Sequence, residues 1–255
     1  MACSKIFSGD LPELINEIIQ SWCDLTIPLL WEDPFSSGYF GNHQFIEIYL
    51  SKLNKDVKTK LYEYGVNNNL VSSNTLLFNY PSFIKYLDID KILVSVHDTV
   101  VDVNKNNLLN DIYKKITWHV IPLISRSLLE MFIENEGNLH SFEVYCSTYY
   151  DIHYFDNTLD LILQNPNLTY NIGNLTFHIY DYNTQNIITL LKFLYSNCNS
   201  ISSMVLDFPI NDIDCHSLIE KLLSQQGIAL LIPIRFTNRF VFVNFDRDYI
   251  SEWLS

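Results

Sequence analysis

The residues able to carry chemistry fall in a few short stretches. Asp151-Ile-His153-Tyr-Phe-Asp156 offers an imidazole and two carboxylates, the donor types of a metal site. No second His or Cys pair stands at ligand spacing, so the stretch predicts no metal site. Cys215-His216 places a thiol next to a base. Adjacent residues on a helix point in different directions, which predicts a packed Cys215 and an exposed His216 rather than a nucleophile and its base. Asp88 with Asp90, and Asp246 with Asp248, are paired carboxylates. Such pairs do acid–base work only where their environments split their pKa values, and in an acidic chain they read as solvated surface. Gly38-x-x-Gly41 is the nearest approach to a phosphate loop, the 7 glycines are otherwise scattered, and no Gly-x-Ser-x-Gly occurs. These stretches predict a protein that is not an enzyme and holds no cofactor.

Bulk properties narrow the partners. The net charge is −13, and Arg126, Arg235, Arg239 and Arg247 are the arginines. Neutralising phosphates takes clustered Lys and Arg, so the sequence predicts no nucleic-acid partner and no anionic membrane surface. Hydrophobic residues make up 48% and charged residues 18%, a composition that packs rather than one that stays disordered. The first ten residues lack the apolar run of a signal peptide. No uninterrupted apolar run reaches the roughly 18 residues that suggest a membrane span. A cytoplasmic or nuclear location is the expectation. The 5 cysteines are odd in number and form no Cys-x-x-Cys, which predicts free thiols.

The elements that must position these residues begin with a helix. Asp10 with Glu13 has the spacing of a capping box, and Pro12 sits in the first turn. Leu11, Leu14, Ile15, Ile18, Ile19 and Trp22 then form one apolar stripe. Leu25, Ile27, Leu29, Leu30 and Trp31 follow, with Pro28 expected to break or start a helix. Residues 43–64 read as helical. Pro81 opens a short helix through Leu87, Ile92 to Val96 reads as a strand, and a helix from Leu108 to Trp118 is interrupted by Pro122.

The second half repeats. Leu139-x-x-Phe142-x-Val144, Ile172-x-x-Leu175-x-Phe177 and Ile201-x-x-Met204-x-Leu206 share one apolar pattern, with starts roughly thirty residues apart. Each is preceded by a short amphipathic run, at Leu128 to Ile133, Leu159 to Leu163 and Ile187 to Leu194, and by an Asn-rich turn. A further helix is expected at Leu218 to Leu223. One such unit cannot bury its own apolar face, whereas stacked units share a continuous core. The expected fold class is α/β: an irregular solenoid of parallel strands with helices on its outer face. Ser141, Glu143, Asn174, Thr176, His178, Ser203, Val205 and Asp207 should then line its inner surface. There they either bind a target or are merely solvated; the pattern leaves both open. From Ile228 to Phe245 the repeat is lost, and residues 240–245 alternate like a strand, so this tail either caps the array or is an altered ending.

By itself the stripe near Leu14 to Ile19 reads as core of an N-terminal cap. Its flanks suggest more. Leu11-Pro12-Glu13-Leu14-Ile15-Asn16-Glu17-Ile18-Ile19-Gln20 resembles the opening of an F-box, and Trp22 to Trp31 resembles its closing helix. The chain to about residue 225 is similar to the expanded F-box-like proteins of fungi with degenerate leucine-rich repeats. The resemblance departs in one respect: the middle helix of the F-box is missing. It implies a substrate receptor of a Skp1–cullin–F-box ubiquitin ligase, acting by proximity. Leu11, Pro12, Leu14, Ile15 and Ile18, with Ile27, Pro28 and Leu29, would face a Skp1-type adaptor, and the repeats would hold an unidentified target protein. A stand-alone leucine-rich-repeat scaffold with a relic F-box is the alternative. The corresponding division is 8–36 for the truncated F-box-like segment, 43–125 for a helical linker and start of the solenoid, 126–227 for the repeats, and 228–255 for a cap or tail.

Overall fold

A computed structural model describes residues 11–36, 43–66, 78–104, 114–146, 148–179, 185–198, 200–208, 231–236 and 239–244. Helix α1 (Leu11–Trp31) is followed by α2 (His43–Lys52), α3 (Lys55–Glu63), a 3-10 turn (Tyr80–Phe83), β1 (Tyr86–Asp88) and α4 (Ile89–Asn104). A π-helical turn (Ile116–Val120) runs into α5 (Ile121–Glu134). Then come β2 (Ser141–Cys146), α6 (Tyr149–Gln164), α7 (Pro166–Thr169), β3 (Asn174–Ile179), α8 (Gln185–Asn197), β4 (Ser203–Phe208), β5 (Leu231–Phe236) and β6 (Arg239–Asn244).

The strands form one sheet in which every strand lies beside its sequence neighbour, in the order β1-β2-β3-β4-β5-β6. The pairs from β1 to β5 are parallel, and β6 turns back antiparallel on β5. Helices fill the described connections from β1 to β4, with α4 and α6 packed on β2 and α5 beside both helices. The fold is therefore mixed α/β with a small parallel sheet. The three segments singled out in the sequence lie side by side and in register: Phe142, Leu175 and Met204 are neighbours, as are Glu143, Thr176 and Val205. Their apolar positions Leu139, Ile172, Ile201, Phe142, Leu175, Met204, Val144 and Phe177 are all buried.

A backbone device recurs at the heads of β1 to β4. Two successive amides donate to one carbonyl of the preceding level. Lys85 and Tyr86 share Glu32 O, His140 and Ser141 share Lys85 O, Gly173 and Asn174 share His140 O, and Ser202 and Ser203 share Gly173 O, all at 2.7–3.1 Å. The residue before each shared carbonyl is apolar and buried: Trp31, Ile84, Leu139 and Ile172, with Ile201 in the same place ahead of Ser202. The lateral order thus starts at the end of α1. Ile84-x-x-Leu87-x-Ile89 carries the same buried pattern as the later segments. It was hidden in the sequence because β1 is only 3 residues long.

The Asn-rich turns have a shared function. The side-chain amides of Asn135, Asn165 and Asn197 donate to the carbonyls of Met131, Leu161 and Phe193, at 2.7–2.8 Å. Each ties the side chain back onto the last turn of its helix; at α5 it adds to the bond that Asn135 N already makes to Met131 O at 3.1 Å. The end of α5 is also a Schellman turn: Gly137 N donates to Phe132 O and Glu136 N to Ile133 O, with Glu136 at φ 59. A Cβ on Gly137 would stand 2.8 Å from Phe132 O, so glycine is required there for close approach.

Several local expectations are corrected. Pro28 does not end a helix, because α1 runs through it to Trp31. An internal proline costs about 3 kcal/mol. What offsets it is the anchoring of Trp31, whose ring meets Phe45, Tyr49 and Tyr80 at centroid distances of 4.4, 5.3 and 4.1 Å. Pro122 likewise interrupts nothing. The π-turn ahead of it sends Ile121 N to Ile116 O, and the carbonyl of Thr117, bypassed by that longer bond, accepts from the Tyr154 hydroxyl at 2.8 Å. Ile92 to Val96 is helix, not strand. Ile89, Ile92, Leu93, Val96 and Val100 are buried at helical spacing, and that period overrides the β-branched composition. Pro81 opens only a 3-10 turn, and the chain is a strand again by Tyr86. The tail does not abandon the ladder: β5 continues it parallel to β4 before β6 reverses. The helices expected at 108–113 and 218–223 lie outside the described residues. The continuous segment Ile116–Glu134 is long and apolar enough to cross a membrane by composition, but it is mostly buried within the fold as its central core helix.

Candidate functional site

Two surfaces stand out, and each follows from the elements beneath it. The first is the face of the sheet opposite the helices. Strand alternation turns Phe142, Val144 and Cys146 into the core, and Ser141, Glu143 and Tyr145 to the other side. Register then lines up three rows across the strands. Tyr86, Ser141, Asn174 and Ser203 form one; Asp88, Glu143, Thr176 and Val205 the next; Tyr145, His178 and Asp207 the third. The predicted inner positions are thereby brought together in one patch. Asn174 and Ser203 are exposed, and Ser141, Glu143, Thr176, His178 and Val205 are half-buried. Asp207 is placed by register alone. The rings of Tyr145 and His178 sit 5.7 Å apart across neighbouring strands.

At the β1 end this face is acidic. Asp88 holds Lys91 in an ion pair of 3.0 Å, and its other oxygen accepts from Lys91 N at 3.1 Å. Asp33, Asp90 and Glu143 lie around that pair. Burial, then the charges of Asp88, Asp151 and Glu143, pushes the Asp90 carboxyl up to about 6. Burial and the charge of Asp88 raise Glu143, and burial raises Asp33, with Lys91 acting against both shifts. Asp33 and Glu143 come to the Asp88–Lys91 segment from far apart in the chain, which the sequence alone does not show. Among the described residues no group of three or more His, Cys, Asp or Glu is placed to hold a metal ion.

The second surface is α1. Its C-terminal end is fixed by Trp31, which is 3% exposed, while its outer stripe is bare. Ile15, Ile18, Ile19, Trp22, Leu25, Leu29 and Leu30 are exposed, with Trp22 at 71% and Leu25 at 70%. Of the residues the F-box resemblance points to, Ile15, Ile18 and Leu29 lie on this stripe. Pro12 is exposed, Ile27 and Pro28 are half-buried, Leu14 is buried, and the Leu11 side chain lies outside the described residues. Trp22 and Leu25, the most exposed of the stripe, belonged to apolar clusters in the sequence whose outward direction only the structure supplies.

The stretches with chemical potential are otherwise employed. Asp151 closes a capping box on α6, its carboxylate accepting from Thr148 N at 2.8 Å and its amide donating to Thr148 Oγ1 at 3.3 Å. Asp156 accepts from the Asn186 amide at 2.6 Å. His153 lies 5.5 Å from the Trp118 ring. With Lys114, Lys115 and His119 these two rings line an open cleft of about 530 Å³ beside the π-turn. Burial, then Asp151, Asp156 and Asp90, pushes the Cys146 thiol up to about 12, which suits core packing rather than nucleophilic attack. Gly38, Gly41, Cys215, His216, Asp246 and Asp248 lie outside the described residues. Set against family models, curated proteins and solved structures, the chain matches none.

Proposed function

We propose that the chain is a non-catalytic protein-binding protein built as an irregular leucine-rich-repeat-like solenoid, with the open sheet face as its target surface. The observation that carries the reading is the row of equivalent positions Glu143, Thr176 and Val205, presented in register by parallel neighbours. Such a surface is extended, which suits a polypeptide better than a small molecule. Its mechanism is to hold a partner in place.

The sequence resemblance makes this a substrate receptor of a Skp1–cullin–F-box ligase, with α1 docking on the adaptor. The exposure of Ile15, Ile18 and Leu29 supports that form. A second form, a stand-alone scaffold, is favoured by a specific feature: Leu11 to Trp31 is one unbroken helix rather than a multi-helix unit. Mixing the purified full chain with a Skp1-type adaptor separates the two. Co-elution that Ile18→Glu abolishes supports the receptor. No association at micromolar concentration leaves the scaffold. A partner whose capture is lost in Glu143→Lys and kept in Tyr170→Lys supports the target face under either form, and equal capture by both variants overturns it.

A further inference from the structure

An array of stacked units needs a polar cap at each end, because the outermost unit has no neighbour to cover its apolar side. On the array reading above, α1 ends in Trp31 at the first level of the ladder and so forms the N-terminal end of the stack. It is not capped. Ile15, Ile18, Ile19, Trp22, Leu25, Leu29 and Leu30 together leave on the order of 900 Å² in solvent, above the few hundred Å² that a soluble monomer exposes contiguously. That is close to the roughly 800 Å² each partner contributes to a standard protein interface.

The spacing indicates what covers it. Ile15, Ile18, Trp22, Leu25 and Leu29 alternate steps of three and four, the pattern of a helix that packs knobs-into-holes against another helix. Flanking this seam are Pro12, Leu14, Ile19, Ser21, Thr26 and Pro28, none of them charged. The helix acids Glu13, Glu17 and Asp24 fall on other positions. Two identical helices can therefore meet along the seam without like charges facing each other at its edges. In a parallel pair, where each seam position meets its own counterpart, a two-fold axis along the helices brings Trp22, midway between Ile15 and Leu29, against Trp22.

We infer that α1 pairs with α1 of a second copy of this chain, each closing the uncapped end of the other. The pairing rests on the array reading only for the meaning of the open end; the exposed area and the seam spacing stand without it. Adaptor and second copy compete for one stripe.

Sedimentation equilibrium of the full chain over a concentration series tests the inference. The expected species is a dimer, twice the 29.9 kDa chain. Trp22→Glu with Leu25→Glu weakens association about a hundredfold or more, since hot-spot side chains at the centre of an interface dominate its energy. Tyr170→Glu, at an exposed apolar residue outside α1, leaves the dimer intact. A second arm does not depend on the doubly charged variant folding. In a Cys23→Ser background, Trp22→Cys gives a disulfide-linked dimer under mild oxidation, and Glu17→Cys does not. A chain monomeric throughout the series overturns the inference, as does a dimer indifferent to the double variant, or a monomer that takes an adaptor through Trp22. None of these outcomes touches the target face, whose test is the Glu143→Lys capture.

Discussion

The outer stripe of α1 and the helix-facing side of the ladder are both apolar in sequence and have opposite fates. Phe142, Val144, Leu175 and Phe177 are closed off on every side by a neighbouring level and a helix. Ile18, Trp22 and Leu25 have the same chemistry and are exposed, with no further level among the described residues. Apolar periodicity therefore specifies that a face must be covered, and position in the stack decides whether this chain covers it itself. Within the sheet the covering contributes to stability. On α1 the same kind of surface stays exposed, which is where the proposed second copy would sit.

Substitutions probe this contrast, beginning with the largest effect. Phe177→Ala removes a fully buried ring and should cost about 3–5 kcal/mol in a denaturant titration. Trp22→Ala, read in the monomer at high dilution, should change stability by no more than about 0.5 kcal/mol. Similar losses for the two would erase the distinction. Gly137→Ala comes next, at roughly 1–3 kcal/mol, because its Cβ would press on the backbone carbonyl of Phe132 at the turn leading to β2. A thermal melt unchanged by this variant would show that the turn gives way freely.

Smaller effects sharpen the boundary between the regions. The Tyr49 hydroxyl is buried among the rings of Trp31, Phe35 and Phe132, where α1 joins the core, with no hydrogen-bond partner among the described residues. Burial alone raises its pKa well above the ordinary tyrosine value. Tyr49→Phe should be neutral or gain about 1 kcal/mol, since it removes a desolvated group that gains no partner. A clear loss would mean the hydroxyl has a polar role at the junction. At the acidic edge of the open face, Asp90 binds its proton more tightly folded than unfolded. Its carboxyl therefore opposes folding as pH rises from 3.8 through about 6, and the penalty is complete above that window. Asp90→Asn should add under about 1 kcal/mol at pH 7.5, the full shift being discounted for partial exposure, and nothing below the window. Stability compared at pH 7.5 and below 3.8 checks the sign.

Much of the ladder was legible because its signal is local: three apolar positions, a helix stripe and an Asn-rich turn, repeated. What escaped was set by competition. β1 is too short to show alternation, and Ile92 to Val96 has strand-like composition inside a helical period. Pro28 and Pro122 carry penalties that remote contacts offset: the aromatic packing of Trp31 in one case, a widened turn with the Tyr154 hydroxyl in the other. Asp88 and Asp90 were legible as a pair, but the full cluster was not, because Asp33 and Glu143 join them only through lateral stacking. The bareness of α1 was unreadable because exposure belongs to the stack and not to the helix.

Nuclear Overhauser contacts between backbone protons across the strands examine the stacking itself. The account predicts parallel cross-strand contacts linking Glu143 to Thr176 and Thr176 to Val205, with Lys85 and Tyr86, His140 and Ser141, Gly173 and Asn174, and Ser202 and Ser203 slow to exchange as pairs. Antiparallel contacts between these strands, or rapid exchange at the paired amides, would contradict it.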